Sequence, residues 1–202
     1  MTVPKVRAVN EADAERAIAA LALAFATDPV IRSFYPDPRD HLTYFAEMMR
    51  INIEPAIARG SAHYVDGFSA ATIWFPPTRP EDDAEAAKER GRRMGALIEE
   101  KAHKEGNDDL FAALGEMGAL HPEEPHWYLF SIGVDPHHQG QGLGSLLMEH
   151  ALPMSDADGT IAYLESSNPR NVPFYQRHGF ETTHVVQIGS SPTFTLMARQ
   201  PG

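Results

Sequence analysis

A mixed α/β fold, with one central sheet flanked by helices, is predicted by three observations. Residues 126–134, HWYLFSIGV, are apolar and aromatic almost throughout, the mark of a strand buried on both faces of a sheet. Directly after it, Leu143, Leu146, Leu147 and Ala151 fall on one side of a helix. Residues 160–165, TIAYLE, return to a strand pattern, and further helix and strand signals continue to the end of the chain. A length of 202 residues fits a single domain over 1–202, and 43% hydrophobic with 22% charged residues can fill a core unaided.

Residues 5–10, KVRAVN, alternate as a short strand and end on Asn10, a helix N-cap residue. Asp13 then puts an acid in the first turn of a helix over ERAIAALALAFA. TDPVIRSFYPDPRD, residues 27–40, carries three prolines and reads as a loop with at most a helical turn. Residues 40–59 form the next helix, with Phe45, Met48, Met49 and Ile53 on one stripe. SAHYV and AATIWF flank Asp66-Gly67-Phe68 and predict a hairpin, with Tyr64, Trp74 and Phe75 as core or pocket-wall residues.

Acids from Glu81 to Glu85 precede bases from Lys88 to Arg93, the order that suits a helix dipole, and a second helix covers 108–120. So long a connection between two strands, about 77–125, is an insertion: either part of a substrate pocket or lid, or a scaffold packed on the sheet. After the central strand, helix and TIAYLE, residues 168–180 (NPRNVPFYQRHGF) give a short helix closed by Gly179 at C′. TTHVVQI and TFTLMA complete the sheet.

The totals exclude several classes of function. A net charge of −11 argues against nucleic acid as a partner. The absence of cysteine removes disulfides, thiolate metal sites and thiol nucleophiles. No N-terminal apolar stretch resembles a signal peptide and no run reaches membrane-spanning length, so a cytoplasmic location without a membrane partner is expected.

Glycines at 140, 142 and 144 stand where the central strand gives way to a helix. The first amides of a helix lack intrahelical partners and sit at the positive end of its dipole, and glycine lets an anion approach them closely. The stretch fits a phosphate cradle. A P-loop is excluded, because Leu143-Gly144-Ser145 offers no lysine. Gly140-x-Gly142-x-x-Ser145, with Glu165 about 20 residues on, approaches the dinucleotide fingerprint. Against that fingerprint, the loop after Val134 is long, and only 37 residues come after Glu165, too few for the remaining βαβ units.

The run from Val134 to Gly144, VDPHHQGQGLG, resembles the acetyl-CoA signature of the GCN5-related N-acetyltransferases (GNAT). Gln139, Gly142 and Gly144 match its Gln/Arg-x-x-Gly-x-Gly/Ala core, and Val134 and Pro136 match the preceding V-x-P. A second element, Asn168 followed by Tyr175 and Gly179-Phe180, stands at the family's separation. Longer segments, 124–145 and 163–180, resemble puromycin N-acetyltransferase and related bacterial enzymes, and the likeness covers nearly the whole chain. The resemblance implies a mixed, mostly antiparallel sheet flanked by helices, with the helical insertion before the fourth strand. It implies acetyl-CoA as cosubstrate without a metal, a small-molecule amine as acceptor, and a homodimer as a common assembly.

Site residues come from the same resemblance. Gln139, Gly140, Gln141, Gly142, Leu143, Gly144 and Ser145 would hold the pyrophosphate. The strand Trp127–Val134 would splay from strand 160–165, and its backbone, with Ile132, Gly133 and Val134 as binding residues, would pair with the pantetheine arm. An amide near Ile132 would stabilise the oxyanion, a contribution of about 3 kcal/mol to the barrier. Asn168 and Asn171 would bond the arm, and Phe174 would lie against it. Tyr175 is the candidate general acid for the leaving thiolate; its other reading is a half-buried core tyrosine.

An amine with pKa about 10.4, or about 7.7 for an α-amine, must lose a proton before it attacks. Glu165, in YLESS, is the first candidate base and His126 the second; a strand-end ion pair and an exposed histidine are their other readings. His137 and His138 lie in the phosphate loop, and His121 with His126 forms no recognisable zinc set. Arg170 and Arg177 are either ligands of the 3′-phosphate or solvated residues. Acetylation of a protein or peptide amine, and a CoA-binding sensor without turnover, are the alternatives to a small-molecule enzyme.

Overall fold

A computed structural model of the chain describes residues 4–79 and 84–202. Seven strands form one sheet in the order β1-β2-β3-β4-β5-β7-β6: β1 (Val6–Ala8), β2 (Ala62–Val65), β3 (Ala70–Phe75), β4 (His126–Val134), β5 (Ile161–Ser166), β6 (Glu181–Val186) and β7 (Phe194–Arg199). Every neighbouring pair is antiparallel except β4 and β5. Among the described residues no helix is long and apolar enough to cross a membrane.

Helices cover both faces. On one lie α1 (Ala14–Ala24), α4 (Ala46–Ala58), α5 (Ala84–Lys101) and α6 (Asp108–Ala119). They share a core in which Leu21, Phe45, Ile53, Leu97, Leu110 and Tyr163 are buried. On the other lie α7 (Leu143–Asp158) and α8 (Val172–Arg177), where Trp74, Trp127, Met148, Leu164, Tyr175 and Phe180 pack together. The expected stripe of Phe45, Met48, Met49 and Ile53 is buried. The insertion helices seat Leu97, Leu110 and Ala113 in the core. The acids at 81–83, expected in the first turn of α5, lie outside the described residues.

Three local expectations are corrected. Residues 27–40 contain more than a turn: α2 spans Pro29–Phe34 and a short α3 spans Pro38–Asp40. Their prolines stand at the first helical position, where no amide hydrogen is needed, and Asp28 and Asp37 cap the amides behind them. The segment then runs through a π-helical turn, His41–Phe45, into α4. Asn10 accepts a bond from the Asp13 amide (3.1 Å), but α1 begins only at Ala14, so Asn10 caps a turn ahead of the helix. β4 is not buried on both faces; buried and half-buried residues alternate along it.

β4 is irregular on both its edges. Ile73 pairs with Ser131 and Trp74 with Leu129, so Phe130 is an extra, bulged residue. The parallel ladder with β5 runs from His126–Ile161 to Leu129–Leu164 and stops, although both strands continue. A gap therefore opens between β4 and β5 at the bulge.

Candidate active site

A cleft of about 670 Å³ begins at that gap. Ile132, Gly133 and Val134 supply one wall, Asn168, Asn171, Phe174 and Tyr175 another, and the loop and first turn of α7 close one end. Gly142 is the N-cap of α7 at φ +81°, in the left-handed region that glycine enters without strain. The first helical bond of α7 runs from Leu146 N to Gly142 O (3.0 Å), leaving the amides of Leu143, Gly144 and Ser145 as the open first turn. No atom lies within 4 Å of where a side chain would start at Gly140 or Gly142, so the cradle is open to an anion.

Gly144 serves a different purpose. A Cβ there would come within 3.3 Å of the Phe174 ring, so this glycine lets α8 close against α7. Gln139 sends its side-chain amide back to the Val134 carbonyl (3.3 Å) and folds the loop onto the strand end. Gln141 is the one residue of the expected phosphate set that does not line the cleft; its side chain reaches toward the His137 carbonyl (3.5 Å). Asn168 caps the next turn through its carbonyl oxygen (Arg170 N, 3.1 Å), which leaves its side-chain amide as the group available to a ligand. His138, Arg170 and Arg177 also line the cleft.

Tyr175 is buried and stands in the same cluster as Leu129 and Leu164, the last pair of the ladder. Burial first, and the charge of Asp28 second, push its phenol well above the ordinary tyrosine range. It is therefore held in its protonated form, with a hydrogen to donate into the cleft. Asp28, overlooked in the sequence because residues 27–40 read as a proline-broken loop, also lines the cleft. It accepts bonds from Val30 N (3.0 Å), Ile31 N (3.1 Å) and Ser167 Oγ (2.6 Å). Burial raises its carboxyl above the usual range despite these donors.

Glu165 is the first residue of β5 beyond the ladder, and it points to the face opposite Tyr175, toward Tyr163 and the α5–α6 side. Its oxygens accept from Tyr128 OH (2.8 Å) and Tyr163 OH (3.1 Å) and meet His121 Nδ1 at 3.0 Å. Burial and the nearby carboxylate hold both phenols far up in their protonated form. His126 does not touch Glu165: its Nε2 meets His121 Nε2 at 3.1 Å, and its Nδ1 faces the Glu124 carbonyl at 2.8 Å. Neither Glu165 nor His126 lines the cleft itself. Tyr128 and Tyr163 escape a sequence reading because strand aromatics carry no motif, and His121 enters that reading only as a zinc partner of His126; for the two tyrosines the alternation that puts 126 and 128 opposite 161 and 163 is the signal.

Residues 66–180 match the acetyltransferase (GNAT) family. An uncharacterized N-acetyltransferase of Schizosaccharomyces pombe is 26% identical over 96% of this chain and 82% of its own length. Among solved structures, a Corynebacterium glutamicum protein described as histone acetyltransferase HPA2 and related acetyltransferase aligns with TM-score 0.69 at 22% identity, covering 100% of this chain and 98% of that one. Arylalkylamine N-acetyltransferase 2 of Aedes aegypti aligns with TM-score 0.70 at 11% identity, with full coverage of both chains. These structural likenesses speak for the fold.

Proposed function

The chain belongs to the acetyltransferase (GNAT) family, and on that premise we propose that it moves the acetyl group of acetyl-CoA onto the primary amine of a small molecule. One observation carries the reading. The β4–β5 ladder ends at Leu129–Leu164, and an acid–base group stands on each side of that end, Tyr175 on the cleft face and Glu165 on the other. Acetyl-CoA supplies an activated acyl carbonyl and a thiolate leaving group. The open amides of α7 and the cations Arg170 and Arg177 bind its phosphates. The β4 edge beyond Leu129, freed from β5, offers its amides to the arm, and an amide near Ile132 steadies the developing oxyanion.

Glu165 takes the proton that keeps the amine from attacking, and Tyr175 gives its proton to the thiolate. The acceptor is a small amine, as the name of the mosquito neighbour says of that enzyme. The net charge of −11 suits a cationic acceptor. A thiol-release assay with acetyl-CoA and a panel of amines, including phenethylamine, agmatine and puromycin, tests the reading. Turnover on at least one small amine is expected. Turnover on peptide amines alone, or CoA binding with no turnover on any amine, would overturn it.

A further inference from the structure

The two candidate bases named from the sequence, Glu165 and His126, are the ends of one hydrogen-bonded chain whose middle member is His121. The directions of its bonds can be worked out from one fixed point. The Glu124 carbonyl can only accept, so His126 carries its hydrogen on Nδ1. In the neutral ring, Nε2 of His126 is then an acceptor, and His121 must donate to it from its own Nε2 (3.1 Å). A neutral His121 with its hydrogen on Nε2 presents a bare Nδ1 to Glu165 Oε1 at 3.0 Å. The remaining approaches to Glu165 come from Tyr128 OH and Tyr163 OH, both donors. With the carboxylate ionised and both rings neutral, one hydrogen bond in the chain lacks its proton, and that gap lies at Glu165.

We propose that His121 and His126 form the proton exit of the acetyl transfer, carrying one proton from Glu165 to solvent per turnover. The inference rests on Glu165 as base. A substrate ammonium gives one proton to Glu165, and that proton fills the gap between Oε1 and His121 Nδ1. His121 takes it at Nδ1 and releases the hydrogen on Nε2 to Nε2 of His126, which sheds its Nδ1 hydrogen to water; exchange with water returns both rings to their starting tautomers before the next turnover. The freed amine attacks; the C–S bond breaks, Tyr175 protonates the thiolate, and the second amine proton restores Tyr175. The balance is ammonium plus thioester giving amide, thiol and one proton, and this last proton is the one the relay removes.

Exposure rises from Glu165 to the two half-buried histidines. The Glu165 side chain is 9% exposed and that of His121 34%. His121 stands edge-on to Tyr128 (5.1 Å, 85°), Tyr163 (4.9 Å, 82°) and His126 (4.9 Å, 62°), so the three rings hold it in one plane of action. From α5, Arg90 lies over Phe75, which packs against Tyr128. A scaffold role for His121 needs the ring alone, whereas a relay needs both nitrogens.

His121→Phe and His126→Phe keep a ring and remove the nitrogens. Each is assayed with acetyl-CoA and two amines of nearly equal shape: phenethylamine, and β,β-difluorophenethylamine, whose ammonium is far more acidic. The expected result is a kcat lower by about tenfold or more with phenethylamine, the order of loss for an impaired acid–base step, and a much smaller loss with the fluorinated amine. The acetyl-CoA KM stays within about twofold in both variants. Equal losses with both amines, or none, would overturn the relay. A second measurement needs no turnover. In protein carrying 15N-histidine, a through-hydrogen-bond coupling between the Nε2 atoms of His121 and His126 is expected, with the His126 hydrogen on Nδ1. Its absence sinks the relay, whereas failure of the wild type on every amine would sink the functional reading instead.

Discussion

Gly133→Ala tests whether the close approach of α1 to β4 builds the cleft. Gly133 lines the cleft, and a Cβ at this position would lie 2.5 Å from Ala24 Cβ and 3.2 Å from Leu21 Cδ2. Ordinary carbon–carbon contact is about 3.5–4.0 Å, so the alanine contact falls short by about 1 Å or more. A methyl group on alanine has no rotamer to retreat into, so backbone has to move. Overpacking of this kind costs about 1–3 kcal/mol. In a chain of this size each kcal/mol moves the melting midpoint by about 2–4 °C, so a fall of about 2–12 °C is expected by differential scanning calorimetry. Ala24 and Phe25 line the same cleft, so the shift of α1 also raises the acetyl-CoA KM. Gly115→Ala is the control: it stands inside α6 with nothing within 4 Å of the new atom, and a gain of about 0.4–1 kcal/mol is expected. A Gly133→Ala protein that melts with the wild type and keeps its acetyl-CoA KM would refute the argument.

Tyr175→Phe should lower kcat by about 100-fold or more while acetyl-CoA binding, read by calorimetric titration, hardly moves; unchanged turnover would remove the phenol from the chemistry. Gly142→Leu forces a branched side chain into φ +81°, at a cost of about 1–3 kcal/mol, and should raise the acetyl-CoA KM sharply; a change confined to the acceptor KM would show that the cradle is misassigned. His63, buried against His150, has its imidazole pushed down to about 4, first by burial and then by His150. The unfolded chain binds a proton there near 6.5 and the native state does not, so stability rises with pH across this interval of about 2.5 units, each worth about 1.4 kcal/mol. Urea unfolding of His63→Gln at pH 4.5 and 7 should therefore show a smaller loss on acidification than the wild type, and an equal loss would contradict the burial argument.

Much of the architecture was legible because it depends on local pattern. The turn residues Asp66-Gly67-Phe68 between two apolar runs marked the hairpin of β2 and β3, the periodic stripe of Phe45, Met48, Met49 and Ile53 marked α4, and Gly179 at φ +84° ended α8 as a C′ glycine should. The turn into α7 was legible for the same reason, since the glycines mark where the helix starts, and the structure puts Gly142 at its N-cap. Residues 27–40 misled because proline both breaks helices and starts them, and only the aspartate before each proline separates the two cases.

From its sequence alone this protein had a strand, a glycine turn and a helix in succession, each set by backbone preferences within a few residues. Tertiary structure decided the rest. Gly144 turned out to make room for Phe174, Asp28 came to lie in the cleft with Tyr175, and His121 came to bridge Glu165 and His126 across 44 and 5 residues of chain. These contacts depend on where the β4–β5 ladder stops and on which face each side chain leaves the sheet. Both are set by packing between distant segments, and no short stretch of sequence carries that information.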